Sequence, residues 1–283
     1  MFNPAAVLAA AFGDHLAETY LRAFPEQKPQ YADFLNDVAR ESLNHIGTSN
    51  APYHNAEHTM MVTLVGQQII LGQQKTSRVR PEDWVHYIVA LLLHDIGFTR
   101  GVCDGDTSNE IVINDAAERV CPPRGATDAY LAPYHVDRGM RYARHRFAGS
   151  DVIDAERIAQ AIDFTRFPVP DDPAYACVES EPALVRAADL IGQISDPFYL
   201  CKLNALYNEF VETGFADKLG YGSAMDLVEQ FPSFFHEQVE PLIGPALDHL
   251  RQTSDGKEVI SRLDGRVSEV SCVENKLGPF SGP

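Results

Sequence analysis

The amino-acid sequence predicts an all-α protein. Apolar residues recur three and four positions apart along nearly the whole chain, which is the spacing of the buried face of an α-helix. No run of alternating apolar and polar residues is bounded by hairpin turns, so a β-sheet protein is not indicated. Helix ends support this prediction, because Pro81-Glu82-Asp83 supplies a proline and an acidic first turn, and Gly97 follows the apolar run of the same helix.

Most of the individual helices are predicted from this apolar spacing. In chain order they lie at about 5–24, 31–46, 56–74, 108–120, 135–148, 154–167, 197–213, 224–230 and 234–252. Two more are predicted from their starting residues. One begins at Pro81 and ends at Gly97, and the other begins at Glu181-Pro182 and carries Asp189.

The chain of 283 residues is long enough to bury a substantial core as one main domain. We expect residues 1–50 to form an N-terminal helical segment packed on a domain of residues 50–252. The apolar pattern weakens after Ser254, so residues 253–283 are expected to be a weakly structured tail. The longest apolar runs are too short for a bilayer, and the N-terminus lacks the basic start of a secretory signal, which predicts a cytoplasmic protein with no membrane partner.

Charge and cysteine content narrow the range of partners. The net charge of −17 would repel a polyphosphate backbone, which argues against binding to long DNA or RNA. A small anionic substrate stays compatible with this charge, since a bound metal ion can reverse the local field. The five cysteines are odd in number and form no C-x-x-C pair, so neither a disulfide framework nor a cysteine zinc site is indicated. The sequence leaves the oligomeric state open.

Two clusters of histidine and acid indicate a metal site. His54 and His58 are four residues apart, which places them on nearly the same face of a helix. His94 and Asp95 lie together at the last turn of a strongly apolar helix. An unpaired charge is costly to bury, and a cation is an economical partner for such a pair.

Asp189 adds an acid in a second apolar helix. It could pair with Arg186, three residues earlier, which would make it a purely structural residue. Alternatively, His58, His94, Asp95 and Asp189 together supply two imidazoles and two carboxylates. Such a set suits one or two divalent ions, Zn, Mn, Fe or Mg, with positions left open for water.

The order H…HD…D resembles the HD-domain superfamily of metal-dependent phosphohydrolases. Within it, Tyr53-His54-Asn55 followed by His58 is similar to the Y-H-N-x-x-H motif of the cyclic nucleotide phosphodiesterase branch. Further likeness covers roughly residues 50–245, in the segments Ile162-Asp163-Phe164-Thr165, Ala188-Asp189-Leu190-Ile191, Glu229-Gln230-Phe231-Pro232-Ser233-Phe234 and Glu240-Pro241-Leu242. This resemblance implies a multi-helix HD-domain bundle with the metal site in a central pocket.

The resemblance also implies roles for individual residues. His58, His94, Asp95 and Asp189 would bind metal, with Asp95 bridging two ions, and a metal-held hydroxide would hydrolyse a small phosphodiester such as a cyclic nucleotide. His54 would be the general acid for the leaving oxygen, because a proton donor must keep its nitrogen free of the metal. Asn55, Thr165, Gln230 and Phe234 would lie around the substrate.

The chain departs from the phosphodiesterase pattern at two positions. Phe98 stands where H-D-x-x-H has its second histidine, and Tyr142 stands where the family has a glutamate. The sequence therefore does not decide whether a second metal ion binds. His135 is a further candidate ligand, whereas His145 is ten residues later, about 80° away around the helix, and is predicted to face solvent or an anion. Two alternative functions follow, an HD-type di-iron oxygenase or a catalytically impaired nucleotide-binding module.

Overall fold

The structure, a computed structural model, describes residues 3–270. The helices of this part of the chain are α1 (Pro4–Ala23), α2 (Gln30–Ile46), α3 (Ala56–Thr76), α4 (Pro81–Leu93), α5 (His135–Arg146), α6 (Ala155–Asp163), α7 (Glu181–Ile194), α8 (Tyr199–Glu212), α9 (Phe215–Leu219), α10 (Ala224–Phe234), α11 (Glu240–Leu250) and α12 (Ser254–Val270). A short antiparallel ribbon pairs β1 (Ile111–Val112) with β2 (Arg119–Val120). The predicted all-α fold is confirmed, and no helix within residues 3–270 is both long and apolar enough to cross a membrane.

Local sequence determines where several helices begin. Five of them follow a residue whose side chain accepts hydrogen bonds from the first free backbone amides, namely Asn3 before α1, Asn55 before α3, Asp154 before α6, Ser180 before α7 and Ser223 before α10. Proline occupies the first turn of α4 and of α7, where its missing N–H has no intrahelical partner to lose. The predicted helix starts at Pro81 and Glu181 are therefore confirmed.

Helix α4 lies at the centre of the bundle. Every residue from Trp84 to Leu93 is buried, which accounts for its strongly apolar sequence. Helices α2, α3, α6 and α7 pack against it, and α1 packs on α2. The chain leaves α4 through a 3₁₀ turn, Ile96–Phe98, which lies against α5. This arrangement brings the start of α3, the end of α4 and the middle of α7 to one place.

A buried arginine fixes the loop that follows α4. The fully buried side chain of Arg138, on α5, donates a hydrogen bond of 2.6 Å to the carbonyl of Gly97 and forms a 3.0 Å ion pair with Asp106. Asp106 also accepts a 2.9 Å hydrogen bond from the N–H of Gly101. Because a buried charge is tolerated only when it is paired and hydrogen-bonded, this network ties the loop to α5. It thereby holds Phe98 in a defined position.

The predicted helix at 108–120 is wrong. These residues form the β1–β2 ribbon, in which Ile111 pairs with Val120 and Val112 with Arg119. The turn between the strands places Ala117 at a positive φ of 57°. The apolar residues of these two short strands happen to be spaced as in a helix, which explains the wrong prediction. Ile111, Val112 and Val120 are β-branched, and such residues favour a strand over a helix.

Two further differences concern the C-terminal third of the chain. Residues 254–270, predicted to belong to a weakly structured tail, form α12, whose Val259 and Leu263 lie four residues apart on one buried face. Residues 271–283 of the predicted tail lie outside the described residues. The predicted helix at 234–252 is divided, because a π-helical turn at Phe235–Val239 precedes α11.

Candidate metal centre

The first turn of α3 directs His58 into the protein. Asn55 caps this helix, and its side-chain oxygen accepts hydrogen bonds from the N–H groups of Glu57 (3.0 Å) and His58 (3.3 Å). Its side-chain amide donates to the carbonyl of Pro52 at 3.3 Å. Both ends of the Asn55 amide are therefore engaged in the local turn, and the His58 ring is buried behind it. The predicted substrate contact of Asn55 stays a prediction.

The end of α4 supplies His94 and Asp95, which are both buried. His94 Nδ1 lies 2.7 Å from the carbonyl oxygen of Leu91. A carbonyl can only accept, so Nδ1 carries a hydrogen, and Nε2 is the nitrogen that can bind an ion once its own proton is displaced. Such a backbone contact fixes the orientation and tautomer of a metal-binding imidazole.

Four side chains bring their ligand atoms together between α3, α4 and α7. His58 Nε2 lies 3.3 Å from Asp95 Oδ2 and 3.3 Å from Asp189 Oδ1. His94 Nε2 lies 3.2 Å from Asp95 Oδ2 and 3.6 Å from Asp189 Oδ1, and the two Nε2 atoms are 3.4 Å apart. Ligands about 2.0–2.1 Å from a tetrahedral ion would be roughly 3.3–3.4 Å apart. The four residues that the sequence predicts as ligands therefore have a spacing that fits a metal ion.

The polar atoms of this cluster also fit a cation. Asp95 Oδ2 is buried and has no hydrogen-bond partner, although it lies between two imidazole nitrogens. Burial raises the pKa of Asp95, but the neighbouring imidazole of His94 outweighs it and holds this pKa well below its ordinary value. The carboxylate is thus charged in a buried setting, and a divalent ion would satisfy its free oxygen.

Asp189 is not paired with Arg186, so the ion pair that would have made it a purely structural residue is absent. Arg186 donates instead to the carbonyls of Tyr175 (3.2 Å) and Cys177 (3.4 Å). The side chain of Asp189 is 22% exposed and is turned toward His58. It lies at one solvent-accessible side of an otherwise buried cluster.

Glu209, on α8, is a member of the site that the sequence analysis missed. Its side chain is 2% exposed and accepts hydrogen bonds from the backbone N–H groups of Tyr53 (2.6 Å) and His54 (3.1 Å). Its second oxygen lies 2.5 Å from His54 Nδ1. The only sequence signal is a glutamate on the same face of α8 as the buried Leu206, which by itself does not reveal a partner 155 residues away.

The Glu209 contact determines the charge of His54. Burial lowers the pKa of His54, but the carboxylate of Glu209 outweighs it, and the pKa is raised to about 9. His54 is therefore a cation at neutral pH in the ion-free protein. The centroid of its ring lies 5.4 Å from that of His58. His54, His58 and Asp95 also bring one ligand atom each within 4.8 Å of one another. His54 can therefore serve either as a proton donor or as a metal ligand.

Phe98 lies between two histidines at the edge of the cluster. Its ring is stacked on the ring of His54, with centroids 4.6 Å apart and planes 8° apart. On the other side it is stacked on His135, at 4.5 Å and 25°. His135 Nδ1 donates a 2.6 Å hydrogen bond to the carbonyl of Ala132, and its Nε2 lies 3.7 Å from Asp95 Oδ1. The predicted extra ligand thus reaches the edge of the cluster.

The remaining predicted substrate residues make contacts with other parts of the fold. The buried Thr165 donates its hydroxyl to the carbonyl of Ile162 at 2.7 Å, at the end of α6. Gln230 is exposed on α10, and the half-buried Phe234 packs its ring 5.7 Å from that of Phe167. Their predicted substrate contacts stay predictions.

Tyr142 and His145 lie away from the cluster. Tyr142 donates its hydroxyl to Glu41 at 3.0 Å, and both residues line a separate cavity of about 190 Å³. His145 is an exposed residue on the same cavity, with its Nε2 2.9 Å from the carboxylate of Asp104. Neither side chain is therefore part of the candidate centre.

Comparison with protein families gives a match over most of the chain. No curated protein matches the chain. A family described as Npun_R2479-like matches residues 2–275, which is nearly the whole sequence. The described helices and the His/Asp cluster all lie within the matched residues. The chain belongs to the Npun_R2479-like family.

Proposed function

We propose that this protein is a metal-dependent hydrolase that cleaves a small phosphodiester, such as a cyclic nucleotide or another nucleotide-like ester. The observation that carries the proposal is the convergence of four ligand atoms beside a histidine that a buried glutamate keeps protonated. Metal-assisted hydrolysis needs both an electrophilic centre and a proton source for the leaving group.

In this proposal His58, His94, Asp95 and Asp189 hold the metal. When bound, a divalent ion supplies the Lewis acidity that polarises the phosphoryl oxygens and activates the attacking water. The two carboxylates fix the cation and offset its charge, while the backbone contact of His94 Nδ1 keeps that ring in the orientation for binding. Zn, Mn, Fe and Mg are all compatible with this mixed set of nitrogen and oxygen ligands.

His54 is the proton donor of the proposed reaction. Its Nδ1 is engaged with Glu209 at 2.5 Å, which leaves Nε2 to give a proton to the departing ester oxygen. Glu209 favours the protonated ring before cleavage and orients it during proton transfer. General-acid catalysis of this kind contributes about two to four orders of magnitude in rate.

The charges of the site favour a diester over a monoester. Two carboxylates balance the charge of a divalent ion, and Glu209 balances protonated His54. A phosphodiester would add one negative charge to this nearly neutral site, whereas a phosphomonoester would add about two at neutral pH. In a protein with a net charge of −17, the second charge would be the more costly one to bind.

Hydrolysis of a substrate panel by Mn²⁺-loaded protein tests the proposal. The panel contains cyclic AMP, cyclic GMP, a linear dinucleotide, bis(p-nitrophenyl) phosphate and the monoester p-nitrophenyl phosphate. We expect the wild type and the control variant His145→Ala to hydrolyse diesters, and Asp95→Asn to lose this activity. Protein that binds Mn²⁺ but leaves every diester intact, or equal activity in the Asp95→Asn variant, would reject the hydrolase.

A further inference from the structure

The two oxygens of Asp95 face different sides of the candidate centre. Oδ2 lies 3.3 Å from His58 Nε2 and 3.2 Å from His94 Nε2. Oδ1 lies on the other side, 3.7 Å from His135 Nε2. A carboxylate with nitrogen ligands on both sides could bridge two ions, which in two-metal sites lie about 3.5–4 Å apart. A second ion would need both room and ligands on the His135 side of Asp95.

Phe98 occupies the space on the His135 side. Its ring is 1% exposed and lies between the rings of His54 and His135, with centroids 4.6 Å and 4.5 Å away. The lone pair of an imidazole nitrogen lies in the plane of its ring. Two imidazoles that turn their faces to Phe98 therefore direct no ligand atom into the volume that this side chain fills, and the phenyl ring supplies none.

The ligand atoms are also too few on this side. Among residues 3–270, two sets of three His, Cys, Asp or Glu side chains bring ligand atoms within 4.8 Å of one another, and neither set includes His135. On this side Asp95 Oδ1 and His135 Nε2 lie 3.7 Å apart, and no such set among the described residues adds a third ligand atom to them. Catalytic sites normally hold an ion with three protein ligands and keep a further position for water.

We propose that the centre holds a single divalent ion per chain, and that the side chain of Phe98 stands where a second ion would bind. This inference rests on the metal-dependent function proposed above and specifies its ion count. Phe98 then acts as a positioning residue, because it supports the ring of His54 from one face while Glu209 holds Nδ1. A one-ion centre also argues against the di-iron oxygenase alternative, which requires two metal ions.

The number of bound ions in the full-length protein tests this inference. After equilibrium dialysis against increasing Mn²⁺, elemental analysis should give one Mn²⁺ per chain at saturation in the wild type. Its Mn²⁺ electron paramagnetic resonance spectrum should be that of an isolated ion. Two ions per chain, or the spectrum of an exchange-coupled pair, would overturn the inference. One bound ion without diester hydrolysis would instead support the inference and reject the hydrolase.

Substitution of Phe98 tests the cause of the one-ion count. Phe98→His places a third ligand beside Asp95 Oδ1 and His135, so we expect a second Mn²⁺ and a coupled spectrum. The matched control Phe98→Leu removes the ring without adding a ligand and should stay at one ion, as should Phe98→His combined with His135→Ala. A folded Phe98→His variant that still binds one ion would contradict the role of Phe98. If that variant does not fold, the wild-type count and spectrum decide alone.

Discussion

At the scale of single residues, histidines of the candidate centre differ in what their Nδ1 atoms contact. His94 Nδ1 donates to the neutral carbonyl of Leu91, so the second proton of this ring lies on Nε2, among the ligand carboxylates, where an ion would displace it. His54 Nδ1 faces the carboxylate of Glu209, which favours the doubly protonated ring. The contact of Nδ1 fixes each ring, and the surroundings of Nε2 then distinguish a metal ligand from a proton donor. In the proposed function the two roles follow from these two contacts.

Replacing Glu209 by Gln should remove the charge that keeps His54 protonated. Because Glu209 raises the pKa of His54, its loss lowers this pKa, and the alkaline limb of the rate profile should move to lower pH. We expect hydrolysis of esters with poor leaving groups to fall about 10- to 100-fold at neutral pH, and activated aryl esters to lose less. Parallel rate–pH profiles on an alkyl and an aryl diester measure both effects.

Glu212→Gln is the matched control for this variant. Glu212 lies on the same helix, and its carboxylate accepts hydrogen bonds from the N–H and hydroxyl of Thr127, at 2.7 Å and 2.6 Å, rather than from His54. Mn²⁺ content should stay at the wild-type value in both variants. An unchanged pH profile for Glu209→Gln, with its ion content intact, would argue against the proposed acid role of His54.

Metal affinity should depend on pH through His94. Burial lowers the pKa of His94, but Asp95 and then Asp189 outweigh it and raise this pKa to about 9 in the ion-free protein. An ion binds only the neutral ring, so it must displace this proton. We expect the Mn²⁺ affinity to rise about tenfold per pH unit from pH 7 and to level off above the His94 pKa.

Isothermal titration calorimetry in two buffers of different ionisation enthalpy measures the released proton directly. Near pH 7 the binding enthalpies should differ by the amount expected for about one proton per ion. A binding enthalpy that is the same in both buffers, or an affinity that does not change with pH, would show that His94 is already neutral before the ion binds.

The sequence grouped the residues of the cluster where their spacing is local or where they match the H…HD…D order, and it missed a partner that only tertiary packing supplies. His58 follows His54 by one helical turn, and His94 and Asp95 are adjacent, so their type and spacing pointed to a common site. Glu209 has no such local relationship to His54, since α8 reaches it only through tertiary packing. The stacking of Phe98 between two imidazoles was likewise inaccessible, although the sequence indicated that Phe98 cannot be a ligand.

At the scale of helices, close approach of α3 and α7 brings His58 and Asp189 together. Gly192 lies three residues after Asp189, and Val62 lies four residues after His58. A Cβ atom at Gly192 would lie 2.8 Å from the Cα of Val62, so the helices can be this close only because position 192 has no side chain. The helix crossing next to the centre therefore depends on a glycine that binds no metal.

Gly192→Ala should separate α3 from α7 and weaken metal binding. Alanine in place of glycine favours a helix by about 1 kcal/mol, but forcing a methyl group against a backbone atom costs about 1–3 kcal/mol, so a net loss of stability is expected. The free energy of unfolding from urea denaturation and the Mn²⁺ dissociation constant should both change in the unfavourable direction.

Gly265→Ala is the corresponding control, because a Cβ atom at Gly265 meets nothing within 4 Å on the exposed side of α12. This variant should keep its Mn²⁺ affinity and gain up to about 1 kcal/mol in stability. If Gly192→Ala behaved like Gly265→Ala in both measurements, the spacing of α3 and α7 would not determine the geometry of the centre.

Helix prediction was most reliable where an end signal accompanied the apolar spacing. The start of α4 at Pro81 and of α7 at Glu181 was correct because proline and acidic residues favour the first turn. Spacing without such a signal failed at 108–120, where two short strands share the same pattern. The polar sequence of α12 concealed a helix because its stability depends on burying Val259 and Leu263 against the rest of the bundle, which the sequence does not display.

At the scale of the whole molecule, the proposed ion would link segments that are distant in sequence. His58 begins α3, His94 and Asp95 follow α4, and Asp189 lies in α7. These helices form the centre of the bundle, with α4 buried among its neighbours. Without a cation, the buried carboxylate of Asp95 and the partly exposed carboxylate of Asp189 each lie within 3.6 Å of both imidazoles. Binding of the ion should therefore stabilise the core as well as support activity.

We expect removal of the ion to lower the thermal stability of the entire domain. A ligand that binds only the folded state, at a free concentration of about 100 times its dissociation constant, adds about 2.7 kcal/mol to the free energy of unfolding. For large single domains each kcal/mol corresponds to about 2–4 °C, so EDTA should lower the Tm of Mn²⁺-loaded protein by about 5–10 °C. Differential scanning calorimetry with and without EDTA measures this change, and added Mn²⁺ should restore the original Tm.

The effect must require the ligands rather than a general response to salt or chelator. Asp189→Asn removes one charged ligand at the most exposed side of the cluster and should lose most of the Mn²⁺-dependent increase in Tm. His145→Ala, an exposed histidine outside the cluster, should keep the full increase. Equal shifts in these two variants would indicate that Mn²⁺ stabilises the protein at another position, since an ion held between α3, α4 and α7 cannot retain its full affinity when Asp189 is neutral.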